Sequence, residues 1–181
     1  MDCYQNQVVQ ALPLALKQGR LGWPVTDIRI TLLGGSHHQY HTHPLDFIVA
    51  TPMGIQDGLR RGGSVLLEPI LHVRFLLPPE CVGRVMSDVA AMRGEVLETL
   101  TDDDRAILTA LIPVQTSLDY ASTLASLSSG RGAMSVRLHG YQECPLELGA
   151  TAPRRGVDPL DTAKYILAAR NALEGGIFDD I

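Results

Sequence analysis

The sequence contains no uncharged apolar run approaching the roughly 20 residues that a membrane helix needs. Its first ten residues, MDCYQNQVVQ, carry no basic start followed by an apolar stretch. Neither a membrane span nor a signal peptide is therefore expected, and the default reading is a cytoplasmic protein. Cysteine is scarce: Cys3, Cys81 and Cys144 are odd in number and far apart, which argues against a disulfide framework or a Cys-x-x-Cys metal pair. Basic excess is missing as well. The formal net charge is -5, with an acidic run at Asp102, Asp103 and Asp104, so the whole chain offers no general phosphate-neutralising surface and DNA is not an expected partner. No GxxxxGK[ST] phosphate loop, GxSxG elbow or HExxH pair occurs. Nucleotide triphosphate binding by that route is not expected, and no catalytic residue or metal ligand set is assigned.

What is present is globular: 45% hydrophobic and 19% charged residues over 181 positions, room for one ordinary domain or two small ones. Residues 4–18 read as an amphipathic helix with Val8, Leu12 and Leu16 on one face and a kink or late start at Pro13. Residues 25–33 alternate apolar and polar at their start, the pattern of a half-buried strand. A second helix is expected from about 46 to 61, weakened by Pro52 and closed by Gly62 and Gly63.

Beyond this hinge the pattern is cleaner. Strands are predicted at 71–77, 95–100, 106–114 and 133–138. Helices are predicted at 80–92, with Val82, Val85, Met86 and Val89 on one side, and at 117–128, with Leu118, Ala121, Leu124 and Ala125 inward. The order β-α-β-β-α-β is the ferredoxin-like unit, in which two helices cover one face of a four-stranded antiparallel sheet. Residues 158–173 form one more helix, with Asp158 as N-cap, Pro159 in the first turn, and Tyr165, Ile166 and Ala169 on one face. The tail from 174 is expected to fray. The fold class is α+β.

One cluster attracts chemical interest. His37, His38, His41 and His43 fall within the segment HHQYHTHP, which has no core-forming pattern and reads as an exposed loop. Three readings stay open: a transition-metal site, a solvated loop that happens to be His-rich, and a recognition loop in which His, Tyr and Gln stack on unpaired bases or bond to their edges.

Several segments resemble the elongation factor G family. Residues 22–32 (GWPVTDIRITL), followed by 35–38 (GSHH), resemble the strand and tip loop of its domain IV. LLEPI at 66–70, MRGEV at 92–96, and YASTL at 120–124 with SGRG at 129–132 resemble segments of its domain V. The five matches keep their order and spacing along residues 4–143. Farther on, Gly140 and Tyr141, PRR at 153–155, and DTAKY at 161–165 look like the ending of tetracycline ribosomal-protection proteins, and Trp23 leans the same way. The GSHH stretch is closer to elongation factor G itself.

The resemblance implies a partial domain IV-like β-α-β unit over 1–63, a domain V-like ferredoxin-like domain over 64–145, and a C-terminal extension with a helix over 146–181. It implies a GTPase domain and two further domains elsewhere in the parent protein, with GTP and Mg as that domain's cofactors. None of these is expected in this chain, which would be an excised piece or a shortened relative with an incomplete first sheet. The implied partner is the ribosome, through rRNA of both subunits. His37, His38, Gln39, Tyr40 and His41 would meet the decoding region, and Arg131, Arg154 and Arg155 would add weaker contacts. The alternatives are a divergent elongation factor G acting in translocation, and a stand-alone ferredoxin-like regulatory or ligand-binding domain.

Overall fold

A computed structural model describes residues 4–172. The chain forms two compact units, Met1–Val65 with Ala150–Ile181, and Leu66–Gly149. Among the described residues no helix is long and apolar enough to cross a membrane.

The first unit is built on α1 (Gln5–Leu16) and α2 (Pro44–Gly62). The deepest positions of α1 are Ala11 and Ala15, while Val8, Leu12 and Leu16, the expected inner face, are half-buried. Small side chains at the contact let the two helices approach closely. Pro13 neither kinks the end away nor delays the start; the helix runs through it. Both Pro13 and Val9, whose carbonyl loses its donor there, lie on the exposed side, where solvent satisfies the freed group. From α2, fully buried Gln56 sends its amide Nε2 to the Ala15 carbonyl at 3.1 Å and the Gln18 carbonyl at 2.8 Å. It thereby satisfies carbonyls that the end of α1 leaves without helical partners.

Between the helices the expected strand at 25–33 is absent as a paired element, and this corrects the sequence reading. Val25 N–H bonds to the Leu16 carbonyl at 2.8 Å, after which residues 26–33 run exposed without a ladder and Asp27 turns to φ 52°. Alternation shows which side of a strand wants cover, but a ladder also needs a neighbour. Among the described residues, this unit contains no strand to supply one.

In the second unit β1 (Leu66–Leu77) is followed by a 3-10 turn (Pro79–Cys81), α3 (Val82–Ala91), β2 (Glu95–Thr101) and β3 (Ala106–Pro113). Then come the short α4 (Val114–Ser117), α5 (Tyr120–Leu127) and β4 (Ala133–Cys144). The sheet order is β2-β3-β1-β4 with every pair antiparallel, as the ferredoxin-like pattern requires. Val73, Phe75 and Leu77 of β1 and Ala106, Leu108, Ala110 and Ile112 of β3 form the inner face. They pack on Val85 and Val89 of α3 and on Tyr120 and Leu124 of α5. Phe75 meets the Tyr120 ring edge-on at 5.9 Å.

Details differ from expectation. Met86 is 41% exposed and Leu118 is 73% exposed. The helical stretch breaks after Ser117 and restarts at Tyr120, so the inward face becomes Tyr120, Leu124 and Ser128 instead of Leu118 and Ala121. β1 begins five residues earlier than expected, and β4 continues to Cys144 past an irregularity that skips His139.

Residues 150–172 belong with the first unit. Ala152 N–H donates to the Leu21 carbonyl at 3.0 Å, and Arg155 N–H donates to Gln18 Oε1 at 2.8 Å. The last helix, α6 (Thr162–Ala169), starts later than its sequence pattern suggests. Asp161 caps it, while Asp158 instead bonds the Leu160 N–H and pairs with Arg20. Its buried side is Tyr165, Ala168 and Ala169, packed with Leu14, Val49, Met53 and Val157; Ile166 is turned outward. The tail from 174, expected to fray, lies outside the described residues.

Candidate functional site

The loop that enters α2 carries the most distinctive surface of the first unit. Its base is aromatic. Tyr4 stacks on Phe47 with centroids 4.6 Å apart and receives the His37 ring edge at 5.2 Å. The Tyr4 hydroxyl donates to the Thr42 carbonyl at 3.1 Å. The exit is braced at the helix start: His43 N–H donates to Asp46 Oδ2 at 2.8 Å, the Asp46 N–H donates to the His43 carbonyl at 3.0 Å, and Pro44 opens the helix. A ring lacking the fourth donor and a carboxylate in the first turn suit a helix N-terminus.

Between base and exit the chain makes a tight turn. His38 N–H bonds Thr42 Oγ1 at 2.8 Å, and the His38 carbonyl accepts from the backbone N–H of Thr42 at 3.1 Å and of His41 at 3.3 Å. The imidazoles of His38 and His41 stack at 4.6 Å and 28°. His38 Nδ1 accepts the Tyr40 N–H at 3.3 Å, which in the neutral ring leaves Nε2 as the donor. Tyr40 is 78% exposed, and residues 37–41 are all exposed. The sequence-assigned residues His37, His38, Gln39, Tyr40 and His41 thus share one turn, with His37 at its base and the other four at the tip. Flat rings and an amide held on a braced turn can stack on bases and hydrogen-bond to their edges without net positive charge. Among the described residues no three His, Cys, Asp or Glu side chains converge to hold a metal.

The arginines sit elsewhere. Arg131, on the turn where Ser129 and Gly130 take positive φ, is exposed and pairs with Glu80 at 2.6 Å. Glu80's own backbone N–H, and then Arg131, hold that carboxyl below its ordinary range. Arg155 has an exposed side chain. Arg154 is half-buried: its Nη1 reaches the Gln18 carbonyl at 3.5 Å, its Nε has no partner among the described residues, and burial lowers its pKa. The structure separates these two neighbours, one facing solvent and one built into the unit.

Sequence reasoning missed the loop's anchors, Tyr4, Thr42 and Phe47. Only the aromatic character of Tyr4 and Phe47 hinted at them, because contact across 43 positions leaves no local pattern. It also missed the most buried ion pair among the described residues. Arg93, at φ 63°, places Nη1 and Nη2 on the two oxygens of Glu68, each at 2.8 Å, with Glu68 6% exposed. The Arg93 hydrogen bonds hold the Glu68 carboxyl below its ordinary range.

A helical unit presenting a braced polar-aromatic loop, joined in sequence to a ferredoxin-like unit, makes this a two-unit α+β chain. Comparison with known proteins gives its family. Residues 1–63 match the model of elongation factor G domain IV, and residues 65–151 match that of the elongation factor G C-terminus. The chain belongs to the elongation factor G family, of which it carries the domain IV and C-terminal segments. Among its relatives is the tetracycline resistance protein TetP of Clostridium perfringens, 31% identical over 94% of this chain and 26% of that protein. Another is elongation factor G 2 of Syntrophomonas wolfei, 33% identical over 72% of this chain and 19% of that protein. A crystal structure of a protein from Thermus thermophilus superposes with a TM-score of 0.74 at 32% identity, covering 80% of this chain and 22% of that one. The chain thus spans about a quarter or less of the relatives it matches.

Proposed function

We propose that this chain is the ribosome-binding C-terminal portion of a translational GTPase that protects ribosomes from tetracycline. The observation that carries the reading is the tip loop: His38, Gln39, Tyr40 and His41 stand in solvent on a base locked by Tyr4 and Phe47. The match to TetP over 94% of the chain supports drug displacement as the task. In this reading residues 1–63 act as domain IV, 64–145 as domain V, and 146–181 as an extension. GTP and Mg serve the parent's GTPase domain, the chain itself performs no catalysis, and the protein works in the cytoplasm.

The tip would wedge into the small-subunit decoding region beside rRNA. Each base stacked on a ring contributes about 1–3 kcal/mol. Arg131 and Arg155 add phosphate contacts, Arg131 by exchanging Glu80 for a phosphate, which costs little because solvent screens an exposed ion pair. Arg154 acts by fixing the segment that presents Arg155.

A second reading, translocation by a divergent elongation factor G, is favoured by the GSHH stretch at 35–38 and by the Syntrophomonas relative. The two are separated by release of labelled tetracycline from ribosomes by the complete parent protein. Release with GTP above a GDP control supports protection. Ribosome-stimulated GTP hydrolysis without release assigns translocation or another ribosomal task.

A further inference from the structure

The chain returns to the first unit at Ala150 after the whole second unit has intervened, and there α6 meets the helix that the tip loop enters. Tyr165, Ala168 and Ala169 of α6 pack with Leu14 of α1 and with Val49 and Met53 of α2. Tyr165 is 3% exposed and Ala168 is fully buried. Val49, Pro52, Met53 and Gln56 recur at i, i+3, i+4 and i+7, so they share one face of α2. Phe47, which carries the Tyr4 stack, lies two positions before Val49, about 200° around the helix axis. The tip-proximal end of α2 is therefore gripped on two sides, by Tyr4 through Phe47 and by α6 through Val49 and Met53.

Alone, α6 is weak. Its eight residues fall short of the roughly 12–15 at which an isolated helix becomes marginal in water, so its order comes from docking. Asp161 caps it, accepting the Lys164 N–H at 3.4 Å. The segment before it is tied separately to the end of α1, through Arg155 N–H on Gln18 and Asp158 on Arg20. Such an element opens locally at less cost than the unit as a whole.

Building on the ribosome-binding reading, we propose that α6 is a positioning element for the tip loop, with Tyr165 as its anchor. Docked, α6 covers Val49 and Met53 and fixes the first turns of α2. The Asp46 brace on His43 and the Phe47–Tyr4 stack then hold residues 38–42 in one shape. Melted, it uncovers those two side chains, the start of α2 frays, and His38 and His41 lose their fixed presentation. A tip ordered in advance loses less entropy on contact. The coupling is reciprocal, so engagement of the tip also favours docked α6.

The test uses the full chain with Tyr165→Ala, Tyr165→Phe and Asp161→Ala. The last weakens α6 from an exposed position and leaves α2 untouched. NMR follows the α6 amides and the ring protons of His37, His38 and His41, which the Tyr4 edge contact and the His38–His41 stack displace from free-imidazole values. Trp23 fluorescence in urea reports whether the unit stays folded, and sedimentation with purified ribosomes gives the affinity. In Tyr165→Ala the tip rings should move toward free-imidazole values and ribosome affinity should fall about fivefold or more. Asp161→Ala should move both in the same direction by less, and Tyr165→Phe should keep both native. If Tyr165→Ala does not fold, Asp161→Ala decides. Native tip shifts in a folded variant whose α6 has melted would overturn the positioning role and leave the ribosome reading intact. An ordered α6 in Tyr165→Ala would overturn Tyr165 as the anchor. Displaced tip rings with unchanged ribosome affinity would uphold the coupling and overturn the tip as the ribosome contact.

Discussion

Tyr4 lies flat against Phe47, ring centroids 4.6 Å apart at an angle of 18°, and its hydroxyl holds the Thr42 carbonyl at 3.1 Å. This joins the start of α1, the first turns of α2 and the end of the tip loop. Tyr4→Phe removes one hydrogen bond and should cost about 1 kcal/mol. Tyr4→Ala also removes the stack and should cost about 2–3 kcal/mol. Hydrogen exchange should show residues 37–43 less protected in Tyr4→Ala, with the Leu66–Gly149 unit unaffected.

Gln56 is the buried clasp between α1 and α2. Gln56→Leu keeps volume but leaves the Ala15 carbonyl without its donor and the Gln18 carbonyl with only the longer Arg154 contact at 3.5 Å. The expected loss is about 2–3 kcal/mol. Trp23 is the chain's single tryptophan and bonds the Ala150 carbonyl at 2.7 Å within the same unit, so its fluorescence in a urea titration reports this unit.

Gly22 has φ 85°, and a Cβ there would overlap the Ala152 carbonyl. Gly22→Ala therefore combines backbone strain with a clash against main chain, and should cost about 2–3 kcal/mol in the same transition. Gly54→Ala, on the exposed face of α2 where a Cβ meets nothing, should instead stabilise by about 0.5–1 kcal/mol. Equal effects of the two would contradict the geometry.

The Glu68–Arg93 pair makes the second unit sensitive to acid. Arg93 lowers the Glu68 pKa in the folded state. Its stabilisation is thus complete above the ordinary carboxylate pKa of about 4.3 and is lost as pH falls through the lower folded value. Glu68→Gln should flatten the decline in stability below about pH 4.5. Arg93→Gln, which strands a buried carboxylate, should cost about 3 kcal/mol at pH 7. Thermal unfolding followed between pH 3 and 7 checks both.

Much of the second unit was legible because its strands alternate and its helices repeat within short windows. Val73, Phe75, Leu108 and Ile112 declare the inner face with no knowledge of the fold. The inward face around Leu118 was misread because the break before Tyr120 depends on how α4 and α5 seat on the sheet. The unpaired segment at 25–33 shows the limit of periodicity: Ile28 and Ile30 alternate like a strand, but pairing is decided elsewhere. At the tip, the residue types were visible in HHQYH, while the brace by Tyr4 and the stacking of His38 on His41 depend on contacts that sequence does not display. Arg154 and Arg155 look alike in sequence, and only burial separates them.

The central claim is that the braced tip of residues 37–41 performs the work on the ribosome. The most direct measurement compares release of labelled tetracycline from ribosomes, with GTP, by the complete parent protein carrying either the native tip or Gly and Ser at positions 37–41. Release by the native protein that falls at least tenfold in the variant, with ribosome-independent folding unchanged, is the predicted result. Equal release by both would contradict the account.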